Sequence, residues 1–476
     1  MNLLVICADT FRADYLGCYG NDWVETPYLD KLASEGVRFD DFYGEGLPTL
    51  PARRVLYTGR SIFPAGFSYR PQKSDGVQLP GWHPLEDEDI TLAEWLSERG
   101  YTTGLVSDLY HMMKPGKNFH RGFHSWEWIR GQEIDPWVPT PKPDVDTSRY
   151  VRPEVPPEAP IRRMVAQYLN NRSGWRSEAD HFAAQVMRKA AEWLRRWGHK
   201  KPWMLWVESF DPHEPWDAPP EFVEKYCPNY EGLEPIWPSG FVRDYSEEEF
   251  QRIKAHYAGE CTHVDKWCGH LIETLDSLGL GDDTIVVFTS DHGTMMGEQG
   301  QIHKGQDRLR SQVTRCPLII RHPDRSFAGK VVEGFIQHQD LMPTLLHLLG
   351  EPVPERCDGE NFWPLVTGER EGGLREVIVS AFGWYASVRT KEWNYQVSWR
   401  EILGQEEAPS TRRPPTPPQL YHLPSDPQEE RNVIEEHPEV AQTFHAWLRE
   451  RVLGRGKGPQ GLGETETPAA VPGVRW

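Results

Sequence analysis

Three apolar runs in this chain end in acidic or imidazole side chains. Residues 3–8 run into Asp9, residues 203–208 into Asp211-Pro212-His213, and residues 284–289 into Asp291-His292-Gly293. Runs of this length suit strands buried on both faces of a parallel sheet. In an open parallel sheet, ligands bind beyond the carboxyl ends of the strands. Groups far apart in the chain can therefore converge at one edge. Asp9, Asp291 and His292 form a divalent-metal set, and carboxylates with an imidazole suit Zn²⁺, Mn²⁺ or Ca²⁺ without choosing among them. Asp9 alone would read equally well as a turn carboxylate; the Asp291-His292 pair argues for the ligand.

A fourth segment, Thr49-Leu50-Pro51-Ala52-Arg53 followed by Val55 to Arg60, supplies a hydroxyl and a guanidinium. Pro51 sets a helix start, which puts the Thr49 hydroxyl at a positive helix end. Metal coordination would make that weak hydroxyl a competent nucleophile. Arg53, four residues on, can hold a developing anion. The plainer alternative is that Thr49 is a helix N-cap. His213 fits a general acid, because an alkoxide is a poor leaving group. Lys304, in His303-Lys304-Gly305, fits a point-charge cation for a non-bridging oxygen. Arg308 and Arg310 read more readily as solvated surface. Trp126, Trp128 and Trp137, with Arg130, lie where they could shape a leaving-group pocket.

The elements that must position these groups alternate between strand and helix. Thr26-Pro27 opens a helix through Ser34, Thr91 to Glu94 is a capping box, and residues 102–106 read as a strand. Helices are expected over 179–197 and 247–277, with strands at 203–208 and 284–289. This alternation predicts an α/β fold, a mostly parallel sheet with helices on both faces. Residues 61–88 and 130–160, rich in Pro, Gly and acids, read as surface excursions. Short antiparallel strands are expected at 377–381, 387–390 and 394–399, a Pro-rich loop at 406–419, and a helix near 437–452. The predicted organisation is a catalytic domain over 1–375, a small C-terminal α+β subdomain over 376–453, and a disordered tail over 454–476.

The chain has 476 residues, 52 basic against 71 acidic, and a net charge of -19. That balance argues against nucleic acid as a partner, since phosphate-backbone binding needs a basic surface. Its seven scattered cysteines show no metal-ligand spacing and read as free thiols of a reducing compartment. The opening segment lacks a basic region before its apolar run, and nothing reaches the length of a membrane span. A cytoplasmic protein with no membrane partner is expected; a homo-oligomer is compatible with the sequence.

The string Thr49-x-Pro-Ala-Arg53…Tyr57-Thr58-Gly59-Arg60 resembles the sulfatase signature of the alkaline phosphatase superfamily. Sulfatases carry Cys or Ser at its first position and oxidise it to formylglycine. Threonine bears a methyl on Cβ, so the same oxidation cannot give an aldehyde. Relatives with unmodified Thr or Ser are mostly phosphoester hydrolases or phosphotransferases. The resemblance extends from residue 2 to about 452. It implies an alkaline phosphatase-like fold, with Asp291-His292-Gly293 as the second metal motif and Thr49 as a further ligand. Thr10 stands where many sulfatases have a second Asp. His213 matches the Asp-Pro-His-x-Pro-Trp histidine, His303-Lys304-Gly305 the short His/Lys-Gly segment, and Leu420-Tyr421-His422-Leu423 with Asp426-Pro427 the C-terminal signature. One departure follows Gly100-Tyr101-Thr102-Thr103. The sulfate-gripping Lys falls on Asp108, and the accompanying His on Tyr110, or on His111 with a one-residue shift. This exchange is expected to remove a cation and add an anion to a substrate site of Asp108, Tyr110, His111 and His303. Asp211, His303 and His338 are candidates for a second metal. The expected function is metal-dependent hydrolysis of a phosphodiester or phosphonate monoester through Thr49, on a small-molecule or glycan-type substrate. The alternatives are a sulfuric ester hydrolase, a phosphotransferase and an inactive binding protein.

Overall fold

In the computed structural model, residues 1–67, 70, 76–114, 116–140, 145–402 and 416–453 are described. The tail expected over 454–476, most of the Pro-rich loop expected at 406–419, and parts of the two excursions lie outside those residues. The chain packs as two compact units. One is built from Met1–Phe39, Thr91–His303 and Pro317–Val331, the other from Asp40–Ile90, Lys304–Cys316 and the chain from Val332 onward. This division by packing interleaves segments and so differs in kind from the linear boundary at 375 expected from the sequence.

The first unit is organised on an eight-stranded sheet in the order Lys330–Val332, Val37–Phe39, Leu318–Arg321, Thr284–Ser290, Asn2–Ala8, Trp203–Ser209, Thr102–Ser107, Ser125–Trp128. The strands from Thr284–Ser290 to Ser125–Trp128 run parallel. Leu318–Arg321 pairs antiparallel with Thr284–Ser290, and Val37–Phe39 antiparallel with Leu318–Arg321. The sheet is therefore mixed with a parallel centre. Its central strands are buried along their whole length, which is why they are continuous apolar runs and not alternating ones. Each fully buried Leu, Val or Ile contributes about 1.5–3 kcal/mol.

Helix Phe182–Trp197 packs on strands Thr102–Ser107 and Trp203–Ser209, and on helix Glu247–Ser277. A Cβ at Gly104 would sit 2.5 Å from the Trp193 ring, so only glycine lets the helix approach the strand this closely. Helix Glu247–Ser277 starts with a capping box in which the Glu249 N–H donates to Ser246 Oγ and the Ser246 N–H donates back to Glu249. It holds the unit through five side chains. Arg252 and His256 pair with Glu234, whose carboxyl they hold well below the usual range against burial, which acts the other way. The Tyr257 hydroxyl donates to Thr10 O at 2.8 Å and accepts from Arg12 N at 3.1 Å. The Glu260 carboxyl accepts from Asp217 N, and Asp265 accepts from Tyr28 N and Leu29 N at the start of helix Pro27–Glu35.

The second unit carries a five-stranded sheet in the order Gln419–His422, Trp393–Ser398, Tyr385–Arg389, Ile378–Phe382, Gly46–Leu47; the last strand runs parallel to its neighbour and the others antiparallel. Glu429, in the stretch that resembles the C-terminal signature, is fully buried and clasps this unit together. It pairs with Arg389, accepts from Asn394 Nδ2, and accepts from Ser311 N and Oγ. Arg310, expected to be solvated, is 1% exposed and donates to Tyr421 OH at 2.7 Å; Arg308 is also buried. All seven cysteines are free thiols. No helix among the described residues is long and apolar enough to cross a membrane.

Candidate active site

Register places the first group of site residues. Ala8 pairs with both Ser209 and Ser290, so Asp9 and Asp291 emerge side by side at the carboxyl edge. Both are fully buried, as is His292. His292 Nε2 lies 3.4 Å from Asp291 Oδ2 and 3.8 Å from Asp9 Oδ1. The other ring nitrogen, Nδ1, is 2.9 Å from Gly293 O, an acceptor only, so Nδ1 carries the hydrogen. In the neutral ring the Nε2 lone pair then shares a small buried space with two carboxylate oxygens. Three such donors within 4.8 Å of one another are what a divalent cation requires. This is the candidate metal-holding group found among the described residues; Thr49, the further ligand that the resemblance implies, is not part of it.

Thr10 is more than a lost carboxylate. Its hydroxyl donates to Asp9 Oδ1 at 2.7 Å and its N–H donates to Asp291 Oδ1 at 3.0 Å. Asp291 Oδ1 also accepts from His292 N at 2.8 Å. Thr10 does this from φ +66°, a left-handed conformation that a β-branched residue adopts only under constraint. The Tyr257 hydroxyl supplies part of that constraint through Thr10 O.

A second group follows strands Thr102–Ser107 and Trp203–Ser209. Phe210 N donates to Asp108 Oδ1 at 2.7 Å, and Gln132 Nε2 bridges Asp108 Oδ2 at 3.3 Å and Asp211 Oδ1 at 2.6 Å. Ala183 N donates to Asp211 Oδ2. Burial, and then the neighbouring Asp211 charge, push the Asp108 carboxyl well up; burial likewise raises Asp211. Asp108, expected to add an anion to a substrate site, is buried in this network. It stands inside the fold as a hydrogen-bonding group that favours its proton, so it adds no exposed anion to a substrate site. Asp211, His303 and His338, expected as candidates for a second metal, each have other neighbours. Asp211 spends its oxygens on Gln132 and Ala183, while the His303 ring stacks on Trp216 at 5.0 Å with Nε2 2.7 Å from Pro238 O. His338, in the other unit, is buried against Phe42. These three are not among the metal-holding groups of the described residues.

His213 is stacked on Phe210, with ring centroids 4.0 Å apart. Its Nδ1 lies 2.5 Å from Glu214 O, so Nδ1–H donates to that carbonyl and proton exchange with a substrate falls to Nε2. His111 is buried with Nε2 2.8 Å from Glu133 Oε2, and Tyr110 carries Lys114 over its ring. Sequence reasoning missed Glu133 and Glu214. Their only signal was position, one beside Gln132 and the other inside the Asp-Pro-His motif.

In the second unit, Thr49 is the first residue of helix Thr49–Thr58. The N-cap is Pro48, with no side-chain capping bond. Thr49 is therefore not the N-cap that the plainer reading allowed. It is 2% exposed, and Arg53, fully buried, donates from Nη1 to Thr49 O at 3.3 Å. Lys304 is half-buried.

The sulfatase family model matches residues 1–351. The chain belongs to the sulfatase family. A model of the N-sulphoglucosamine sulphohydrolase C-terminal region matches residues 297–453. The chain is 26% identical to an arylsulfatase of Clostridium perfringens over 96% of its own length and 95% of the relative's. It is 23% identical to a multifunctional alkaline phosphatase superfamily protein of Trinickia caryophylli, covering 91% of each. The fold resembles that of a phosphonate monoester hydrolase of Agrobacterium radiobacter, with a TM-score of 0.71, 23% identity, and coverage of 94% of this chain and 95% of that one. This sulfatase-family hydrolase thus departs from the signature at Thr49 and Asp108, and its Asp9, Asp291 and His292 form a candidate site for the divalent metal ion that family enzymes use.

Proposed function

We propose that the chain hydrolyses a phosphodiester or phosphonate monoester, with Thr49 as nucleophile. The observation that carries this reading is Thr49 itself. It occupies the nucleophile position of the signature, cannot become formylglycine, and starts a helix whose cap lies elsewhere. A divalent cation held by Asp9, Asp291 and His292 would supply Lewis acidity and make a hydroxyl that it binds more acidic. Thr49 Oγ attacks phosphorus in line and loses its proton to solvent, while the bond to the leaving oxygen breaks. His213 gives that oxygen a proton. Arg53 and Lys304 neutralise charge on the non-bridging oxygens. Water then attacks the phosphothreonine and gives a proton to His213, and Thr49 Oγ leaves and regains a proton from solvent. The steps sum to one ester plus water giving an alcohol and an acid.

The names of the curated relatives favour a second reading, hydrolysis of a sulfate ester. Sulfatase chemistry expels sulfate through the second hydroxyl of a formylglycine hydrate, which threonine lacks. Nitrophenyl sulfate, phosphate, phosphodiester and phosphonate esters, tested on parent and Thr49→Ala, separate the two readings. The parent is expected to cleave the phosphodiester or phosphonate, and Thr49→Ala to lose at least ~10³-fold of that rate. Turnover of the sulfate alone, or equal rates in parent and variant, overturns the proposal.

A further inference from the structure

Loop 130–135 places a carboxylate beside the histidines of the first unit. Arg130 is clamped by Asp135 at 2.6 and 2.7 Å and lies over the rings of Trp128 at 4.1 Å and Trp137 at 5.1 Å, so its charge is committed inside the loop. Gln132 is tied to Asp108 and Asp211. Between these fixed points Glu133 takes φ +52°, a left-handed backbone that costs a non-glycine residue about 1 kcal/mol or more. The strain delivers its carboxylate to His111 at 2.8 Å.

Glu133 is ionised there. Burial pushes its carboxyl up, but His111 and then His213 pull it further down, and the net position is below the ordinary range. A second carboxylate, Glu214, lies 3.6 Å from both His213 Nδ1 and His303 Nδ1. Phe210 stands between the two rings, its centroid 6.2 Å from that of His111 and 4.0 Å from that of His213, so Glu133 joins the surroundings of the residue read above as the leaving-group acid through His111. A leaving group that carried its own anion would meet Glu133 and Glu214 on departure, and would first have to approach a chain of net charge -19. Like charges brought together this way are a common means of rejecting a wrong partner.

We infer that Glu133 selects the leaving group, so that the natural substrate is an ester of a neutral or cationic alcohol, such as a polyol or an amino alcohol, and not of an anionic one. The inference rests on the hydrolase reading above, with His213 facing the leaving oxygen. It assigns Glu133 to specificity and asks no proton transfer of it.

The test uses the full chain loaded with Mn²⁺ and the O6 methylphosphonate, phosphate and sulfate esters of glucosamine, glucose and gluconate, with the released alcohol measured by chromatography. Within the cleaved ester type, kcat/KM is expected to be at least ~10-fold lower for gluconate than for glucose, with glucosamine equal to or above glucose. Glu133→Gln is expected to narrow the gluconate deficit at least ~5-fold, and in the parent salt above about 0.2 M is expected to narrow it as well. The salt arm needs no variant and stands if Glu133→Gln does not fold. Gluconate cleaved as well as glucose, a deficit that folded Glu133→Gln leaves unchanged, or, should that variant not fold, a deficit that salt does not move, overturns the inference. If only sulfates are cleaved, the phosphoryl reading falls and the selectivity is still read on the sulfate series. If no ester is cleaved, both fall.

Discussion

Asp9 and Asp291 at one place on the sheet's carboxyl edge, and Asp108 and Asp211 two strands along, are comparably buried, yet their surroundings differ. The first pair faces the ring nitrogen of His292 that carries no hydrogen, and its members are steadied by the hydroxyl and N–H of Thr10. The second pair shares the single amide of Gln132, and burial drives both members toward the protonated form. Burial of carboxylates therefore does not make a metal site. What separates the two pairs is whether the surrounding groups present more lone pairs, which call for a cation, or a shared donor, which a proton can complement.

The sharpest way to break this contrast is Asp291→Asn. Metal content after dialysis is expected to fall from about one ion per chain to below about a tenth, and turnover to drop at least ~10³-fold. Asp108→Asn should leave metal content unchanged; elemental analysis showing loss in that variant would erase the distinction.

Asp108→Asn should instead alter the dependence of stability on pH. The folded Asp108–Asp211 pair holds protons that the unfolded chain releases above about pH 4. Its contribution is therefore fully present below that pH and declines as pH rises toward the raised folded values. Relative to the parent, Asp108→Asn should gain stability with rising pH by up to about 1.4 kcal/mol per unit. Denaturant melts at pH 5, 7 and 9 measure this, and parallel curves for parent and variant would count against protonation of the pair.

A smaller effect is expected at Thr10. Thr10→Ala removes the donor to Asp9 and should weaken metal binding roughly 10-fold, with Thr10→Ser restoring it. Calorimetric titration with Mn²⁺ reads both. The least effect belongs to Asp265, a third kind of buried carboxyl, pushed by burial up to about 8 while capping helix Pro27–Glu35. Asp265→Ala should cost about 1 kcal/mol in thermal unfolding and leave metal content untouched.

Much of this frame was legible in the residue order. Strands Asn2–Ala8, Trp203–Ser209 and Thr284–Ser290 announce themselves as apolar runs, and helix Glu247–Ser277 was read over its full length. Because the ligands stand one residue beyond their strands, Asp9, Asp291 and His292 could be read as a group. Helix Pro160–Asn171 was missed because it follows the Pro- and acid-rich stretch taken as an excursion. The upward push on the Asp108 carboxyl was beyond the sequence for another reason. It depends on Gln132 and on the adjacent Phe210 and Asp211, two segments apart from that of Asp108 that meet it only when the strands are in register. Glu133 was hidden the same way, since the role proposed for it depends on a left-handed backbone at a glutamate, a residue type that does not signal one.

The long helix has a consequence for how this chain tolerates changes of length. At 31 residues, helix Glu247–Ser277 spans roughly 46 Å. Its attachments at Arg252, His256, Tyr257, Glu260 and Asp265 reach Glu234, Thr10, Asp217 and the start of another helix. One inserted residue turns everything beyond it by about 100°. An insertion between Tyr257 and Glu260 would leave the Thr10 strut fastened and swing Glu260 and Asp265 away from their partners together. Exposed positions such as Lys266 can vary one at a time, but the spacing between the fastenings cannot. Over this stretch the spacing of residues is under tighter physical constraint than the identity of most of them.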